Sequence, residues 1–229
     1  MTSNCQEPCQ PGCAACSIVP LALEHCAQVA SLHLEHLNTG YRGRPGMRLL
    51  QAYYAALVQS GGGSGFVAEQ MGPAGVRHGA VVGYVCGLWD PAAVRSSLLG
   101  DALGAQWPKL ALWTGLQVLI RPRLVVELMR RWRAAEKQPF RRQAYELRPI
   151  VVGAAMRRNG IGTHLVDALL ADASRRGFRQ VHAFAEEDNV AANAFYRGIG
   201  FRCAGRENRQ GAARLRYEYT PRRYTLSGS

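Results

Sequence analysis

The residues of this chain best suited to chemistry fall in two short runs. The first is Arg157-Arg158-Asn159-Gly160-Ile161-Gly162-Thr163, which follows an apolar, strand-like segment and opens a helix with Ile161, Leu165, Val166, Leu169 and Leu170 along one side. Glycine at 160 and 162 lets backbone N–H groups approach a ligand closely, and a helix start adds unpaired donors and a partial positive charge. A diphosphate suits that environment. The run is not a Walker loop, because no Gly-Lys-Ser/Thr follows, and not a dinucleotide fingerprint, because the third glycine position is absent. The second run is Asn189, Ala192, Tyr196, Gly200 and Phe201, at spacings of three, four, four and one. On spacing alone Tyr196 reads as a tyrosine packed on its helix.

Taken together the two runs resemble the pattern of the GNAT N-acetyltransferase superfamily: a strand, R-x-x-G-x-G/A opening a helix, then N-x-x-A-x-x-x-Y-x-x-x-G-F. The resemblance is firm over residues 144–205 and looser over 17–87, where a strand, two helices and a strand pair occur in the family's order. Ala154 replaces a proline common in the family, and Arg158 stands where glycine is frequent; neither position supplies an essential side chain. The resemblance implies an α/β fold of the GNAT type, with a mixed central sheet, helices on both faces and, here, a helical insertion before the fourth strand, as in bacterial members.

It also implies acetyl-CoA as the acyl donor. The pyrophosphate would lie on the backbone of Arg157, Arg158, Asn159, Gly160, Ile161, Gly162 and Thr163, with the basic side chains adding charge. The pantetheine arm would run between two splayed parallel strands, paired with backbone near Val151 and Val152 and held by Asn189 and Ala192 of the second run. An N–H near Val152 would polarise the thioester carbonyl, a contribution worth on the order of 10²- to 10³-fold in rate where such donors have been removed elsewhere. Tyr196 matches the general acid that protonates the departing CoA thiolate, and a phenol with a pKa of about 10 stays protonated at neutral pH. Glu146, in the strand before the loop, is the candidate general base, because a primary ammonium must lose a proton before it attacks. Its structural alternative is an ion pair with Arg148 on the same strand face. His33 and His36 in the first helix are alternative bases, or residues of the pocket rim. No metal is expected.

The acceptor is set by the first helices and by residues 90–143. A first helix ending His36-Leu37-Asn38-Thr39-Gly40, together with the insertion, resembles acetyltransferases encoded among bacterial saccharide genes, which points to a small amine such as an amino sugar. A protein α-amino group or lysine, and a longer acyl donor, are the open alternatives.

The elements that must position these residues can be read from periodicity. Residues 17–20 form a strand, 23–37 a helix ending near Gly40, and Met47 to Val58 a second helix closed by the glycine-rich turn at 60–65. Residues 65–70 and 80–87 read as an antiparallel pair. An insertion follows at 90–143, with helical segments near 91–103, 107–120 and 122–137; the last is a basic amphipathic helix, and the surface of 107–137 is a candidate for membrane contact or a pocket lid. Then come a strand at 144–152, a helix at 160–176 closed by Gly177, a strand at 180–186, a short helix at 190–198, and strands at 201–204 and 213–220. The domain thus spans 17–229, after a cysteine-rich tail at 1–16 that is expected to be unstructured.

Composition sets the outer limits. With 229 residues, 48% hydrophobic and 19% charged, the chain can bury a sizeable core. The net charge of +12 is almost all arginine, and residues 1–80 are balanced, so the excess lies wholly in the C-terminal two thirds. That asymmetry favours an anionic ligand over simple solubility. Nucleic acid is the lesser expectation, since no reading helix or aromatic sheet motif can be placed. A CoA-binding sensor without turnover is the competing class, against which Tyr196 and Glu146 argue. No signal peptide and no run of about 20 apolar residues is visible, so a cytoplasmic location is expected. Cys9, Cys13 and Cys16 match the C-x-x-x-C-x-x-C of radical SAM enzymes, but nothing downstream supplies the barrel that chemistry needs, and with Cys5 they read as a tail that binds zinc at most adventitiously. Cys26, Cys86 and Cys203 sit among apolar neighbours and are expected to be packed thiols.

Overall fold

The fold was analysed in a computed structural model, which describes residues 16–37, 43–72, 77–102, 144–209 and 212–220. Seven strands form one sheet: β1 (Cys16–Pro20), β2 (Gly63–Met71), β3 (Arg77–Leu88), β4 (Tyr145–Val152), β5 (Val181–Glu186), β6 (Arg202–Arg209) and β7 (Ala212–Tyr219). Their order is β1-β2-β3-β4-β5-β7-β6. Every neighbouring pair is antiparallel except β4 and β5. The helices are α1 (Cys26–His36), preceded by a 3-10 turn at Leu23–His25, α2 (Gly43–Gln59), α3 (Pro91–Ser97), α4 (Ile161–Arg175) and α5 (Val190–Gly198).

Local chemistry explains the ends of these elements. Asp90 caps α3 by accepting from the N–H groups of Ala92 and Ala93, each at 3.0 Å, with Pro91 at the first helical position. Gly177, at φ +82°, closes α4: its N–H donates to Ser174 O, and that of Phe178 to Ala173 O.

The sheet separates two cores. On one face α1 and α2 bury Val29, Ala30, Leu50, Tyr54 and Leu57 against Val67, Tyr84, Cys86 and Val151. On the other, α4 and α5 bury Leu165, Val166, Leu169 and Tyr196 against Val85, Tyr145, Leu147, Val181, Ala183 and Tyr217. Helices on both faces of a mixed sheet are the architecture expected from the sequence.

A polar clamp fastens the far end of α4. Asp172 accepts from Ser64 Oγ at 2.8 Å and from Arg176 Nε at 2.8 Å, and Ser64 Oγ also lies 2.7 Å from Tyr145 Oη. Trp89 stacks on Tyr145, and the Arg176 guanidinium lies over the Trp89 ring, 4.5 Å from its centroid. Gly87 is glycine because a Cβ there would collide with the Tyr145 ring, which this clamp holds in place. Gly87→Ala is therefore expected to destabilise the protein by about 1–3 kcal/mol, the usual range for overpacking, and urea unfolding of the two proteins checks it; equal midpoints would contradict the clamp.

Three differences from the sequence reading have physical causes. The strands of both hairpins are longer than the apolar runs predict, with β6 reaching Arg209, because cross-strand pairing carries polar residues along. Cys203 is exposed, since β6 is the outer strand of the sheet and residues 202–206 all face solvent; Cys26 and Cys86 are buried as expected. Cys16 opens β1 rather than belonging to a tail, whereas Cys5, Cys9 and Cys13 lie outside the described residues. Of the insertion, α3 and a following π turn at Leu98–Ala102 are described; the helices expected at 107–120 and 122–137 lie outside the described residues. Among the described residues no helix is long and apolar enough to cross a membrane, and no group of three or more His, Cys, Asp or Glu could hold a metal ion.

Candidate functional site at the split between β4 and β5

The parallel pair β4 and β5 stays in register for only two rungs, Tyr145 with Val181 and Glu146 with His182. Beyond them the strands part, β4 remaining with β3 and β5 with β7. The result is a wedge whose closed end is the Glu146–His182 rung and whose open end leads to the start of α4.

A bulge at Pro149 interrupts the β3–β4 register. It resets the alternation, so that Tyr145, Leu147, Ile150 and Val152 face α4 while Val151 joins the α1/α2 core. The backbone follows: Gly153 N donates to Val82 O at 2.8 Å, and the Val151 carbonyl lies against Gly83. Alternation therefore turns the N–H and C=O of Val152 to the other edge, toward the wedge. There Val152 O accepts from Arg157 Nε at 3.0 Å.

The glycine loop begins where β4 ends. After a 3-10 turn at Ala154–Met156 the chain passes through Arg158 at φ +66° and Gly160 at φ +75° into α4. Arg158, at a position where the family often has glycine, is the one described non-glycine residue with positive φ. Gly160 is the N-cap and brings no side chain, and the first turn of α4 has no acidic residue. The N–H groups of Ile161, Gly162 and Thr163 thus present the positive end of the helix without a competing carboxylate. Ile161 is buried and anchors the loop, while the side chains of Arg157 and Arg158 are exposed beside it.

The second run packs directly on the first. A Cβ at Gly162 would stand 3.3 Å from the Phe195 ring, so α5 crosses the start of α4 at that glycine. Asn189 caps α5 by accepting from Ala192 N at 3.0 Å. Tyr196 is 5% exposed and lies among Phe195, Phe201 and Tyr217, with ring centroids 5.3–5.6 Å away. Burial, and then the neighbouring Tyr217, push its phenol pKa well above the ordinary value, which keeps the hydroxyl protonated. Sequence reasoning missed Asn193, which fixes this helix: its amide donates to the carbonyls of Glu186 and Glu187, each at 3.1 Å, and its Oδ1 accepts from Tyr217 Oη at 3.0 Å. The signal was present, since Asn193 is a polar residue on the apolar face of α5.

Glu146 alternates with Tyr145 and Leu147, so it occupies the α1/α2 face, opposite to Tyr196 across the wedge. It is 7% exposed and pairs with Arg148, Nε to Oε1 at 3.3 Å. The ion pair weighed from the sequence as an alternative role is thus present. His182, its partner across the parallel rung, is equally buried and was not singled out by spacing. α1 meets the loop at its C-terminal end, where His36 Nδ1 is 3.5 Å from the Arg157 guanidinium.

His33 is buried rather than at a rim. Its Nδ1 lies 2.6 Å from Tyr54 Oη and 3.1 Å from Tyr84 Oη, and burial lowers its pKa. The unfolded chain takes up this proton near pH 6.5 and the folded chain only at lower pH. The unfolded state therefore binds more protons in that window, and stability is lost as pH falls below about 6.5, by at most about 1.4 kcal/mol per pH unit. His33→Asn is expected to lose less stability than wild type between about pH 7.5 and 5.5 in urea titrations; equal losses would contradict the assignment.

Comparison with known proteins converges on one family. The model of the "Acetyltransferase (GNAT) family" matches residues 124–201, which contain β4, the glycine loop, α4, β5 and α5. No curated protein matches the chain. Among solved structures, an N-acetyltransferase from Staphylococcus aureus Mu50 superposes with a TM-score of 0.57 at 16% identity, covering 90% of this chain and 99% of that one. YncA from Salmonella typhimurium, solved with its cofactor acetyl-CoA, gives 0.57 at 15% identity, covering 93% and 98%. NAA60 of Arabidopsis thaliana in complex with acetyl-CoA gives 0.55 at 15% identity, covering 90% and 98%.

Proposed function

The chain carries a GNAT acetyltransferase domain, and from that premise we propose that it transfers the acetyl group of acetyl-CoA to the primary amine of a small molecule, such as an amino sugar, by direct attack in a ternary complex. The observation that carries this reading is the wedge between β4 and β5, which opens onto the glycine-started helix and has Tyr196 on one face and Glu146 on the other. The N–H groups at the start of α4, with Arg157 and Arg158, hold the pyrophosphate. The open edge at Val152 pairs with the extended pantetheine arm once the Arg157 side chain gives up Val152 O. The Val152 N–H is the donor on that edge and polarises the thioester carbonyl. Glu146 receives the proton of the acceptor ammonium, directly or through a water, and the neutral amine attacks. The C–N bond forms, the C–S bond breaks, the thiolate takes the proton of Tyr196, and the second proton of the acylated nitrogen restores the Tyr196 hydroxyl while Glu146 releases its own to solvent.

The reading is tested by thiol release from acetyl-CoA with amino sugars, polyamines and short peptides as acceptors. Acceptor-dependent release with an amino sugar or another small amine supports it. Release with peptides alone would assign a protein acceptor instead, and acetyl-CoA binding without release by any acceptor would assign a CoA-binding sensor.

A further inference from the structure

Resting on that reading, we propose that Asn193 and Tyr217 are positioning residues for the leaving-group acid. Together they tie the helix that carries Tyr196 to the β5 wall of the wedge, and so aim its hydroxyl at the departing sulfur. The two sit on different elements and meet at one hydrogen bond, Tyr217 Oη donating to Asn193 Oδ1 at 3.0 Å. The Asn193 amide donates in turn to the carbonyls of Glu186, the last residue of β5, and of Glu187 after it, each at 3.1 Å. Tyr217 is fully buried and paired with Ala183 of β5 on one side and Cys203 of β6 on the other. Asn193 is buried as well, so these hydrogen bonds are costly to leave unmade.

The shape of this network serves Tyr196 and not only the stability of α5. Asn193 lies three residues before Tyr196, one turn away on the same face of the helix. Tyr217 reaches both: its hydroxyl holds Asn193, while its ring lies 5.3 Å from the Tyr196 ring with the planes 33° apart. The acid is thus held by a residue that is itself anchored inside the sheet. With nine residues α5 is too short to be stable by itself, so its position is set by what it is tied to. The tie runs to β5, the wall of the wedge opposite the free edge of Val152. The acyl donor lies along β4 and the acid hangs from a helix bound to β5, so the proton crosses the wedge. A buried polar network whose members are satisfied rigidifies the parts that it joins, and here it fixes that crossing distance. Misplacing a reacting group by about 1 Å can cost about a hundredfold in rate. In the transfer the Tyr196 O–H bond breaks as an S–H bond forms on the CoA thiolate. Asn193 and Tyr217 neither give nor take a proton.

A double-mutant cycle separates aiming from mere support. Asn193→Ala and Tyr217→Phe are each made in the wild-type and in the Tyr196→Phe background of the full chain. Thiol release from acetyl-CoA is followed in a single turnover, which reads the chemical step, with the best acceptor among amino sugars, polyamines and short peptides. Melting temperature and calorimetric acetyl-CoA affinity are recorded for every variant. In the wild-type background each substitution is expected to slow the chemical step about tenfold, with acetyl-CoA affinity unchanged. In the Tyr196→Phe background the same substitutions are expected to slow it by less than about twofold, because no proton is left to aim. Tyr217→Phe removes one oxygen and keeps the ring, so it carries the test if Asn193→Ala does not fold. Equal losses in the two backgrounds would make Asn193 and Tyr217 supports of the fold alone, and an unchanged rate in the wild-type background would remove them from the reaction; either result overturns the proposal. Wild type that binds acetyl-CoA but releases no thiol with any acceptor would instead overturn the acetyltransferase reading, and the proposal with it.

Discussion

Gly160→Glu is expected to weaken acetyl-CoA binding at least about a hundredfold while leaving the protein folded. Gly160 sits at φ +75° as the N-cap of α4, a conformation that costs a residue with a Cβ about 1–2 kcal/mol. The new Cβ would meet only the His164 ring, at an ordinary 3.7 Å. A carboxylate at a helix start also interacts favourably with the helix dipole, which offsets part of the strain. The same carboxylate stands where the pyrophosphate must lie, and two unit charges about 4 Å apart near a protein surface repel by about 4 kcal/mol, more than the roughly 2.7 kcal/mol that a hundredfold loss requires. Calorimetry and thermal melts together check this, and near-normal affinity would remove the loop from the cofactor site. Gly162→Glu differs, because its Cβ would press on Phe195 at 3.3 Å; it is expected to lose stability as well as binding.

Tyr196→Phe is expected to lower kcat by about two orders of magnitude, at the lower end of what positioned general acids contribute, with acetyl-CoA affinity unchanged. The phenyl ring keeps the packing against Phe201 and Tyr217, so the fold and the start of α4 are preserved. Only the proton is lost. Because burial raises the phenol pKa, wild type holds this proton across the neutral range, and the variant's deficit should be nearly the same at pH 6 and pH 8. An unchanged kcat with an acceptor established by thiol release would assign the leaving-group proton to another donor.

The parts of the site that were legible in the sequence are those set by local chemistry. Glycine at 160 and 162 before an apolar helical stripe, and a strand on either side of it, place the βαβ unit without reference to the rest of the chain. What decides the geometry of the wedge is not local. Nothing in the composition of β4 or β5 marks that their pairing ends after Glu146 and His182. Pro149, which has no N–H for the ladder, was a visible hint of irregularity, but that its bulge sends Val151 to one core and Val152 to the other depends on the register with β3. The burial of His182 beside Glu146 is non-local for the same reason, since the two pair across β4 and β5 from 36 positions apart in the chain. His33 reads from helix spacing as a rim residue, and only the approach of Tyr54 and Tyr84 from α2 and β3 shows it buried.

The central claim is that the split sheet and the glycine-started helix form one acetyl-CoA site, and calorimetric titration of acetyl-CoA into the full chain tests it most directly. The predicted result is saturable binding of one acetyl-CoA per chain, competed by free CoA, with a Kd in the roughly 1 µM to 1 mM range in which enzyme substrates commonly work. It should be accompanied by a rise in melting temperature, because a ligand that binds only the folded state stabilises it by mass action. No heat and no thermal shift at millimolar acetyl-CoA would contradict it, and would make Gly160, Gly162 and the wedge features of the fold alone.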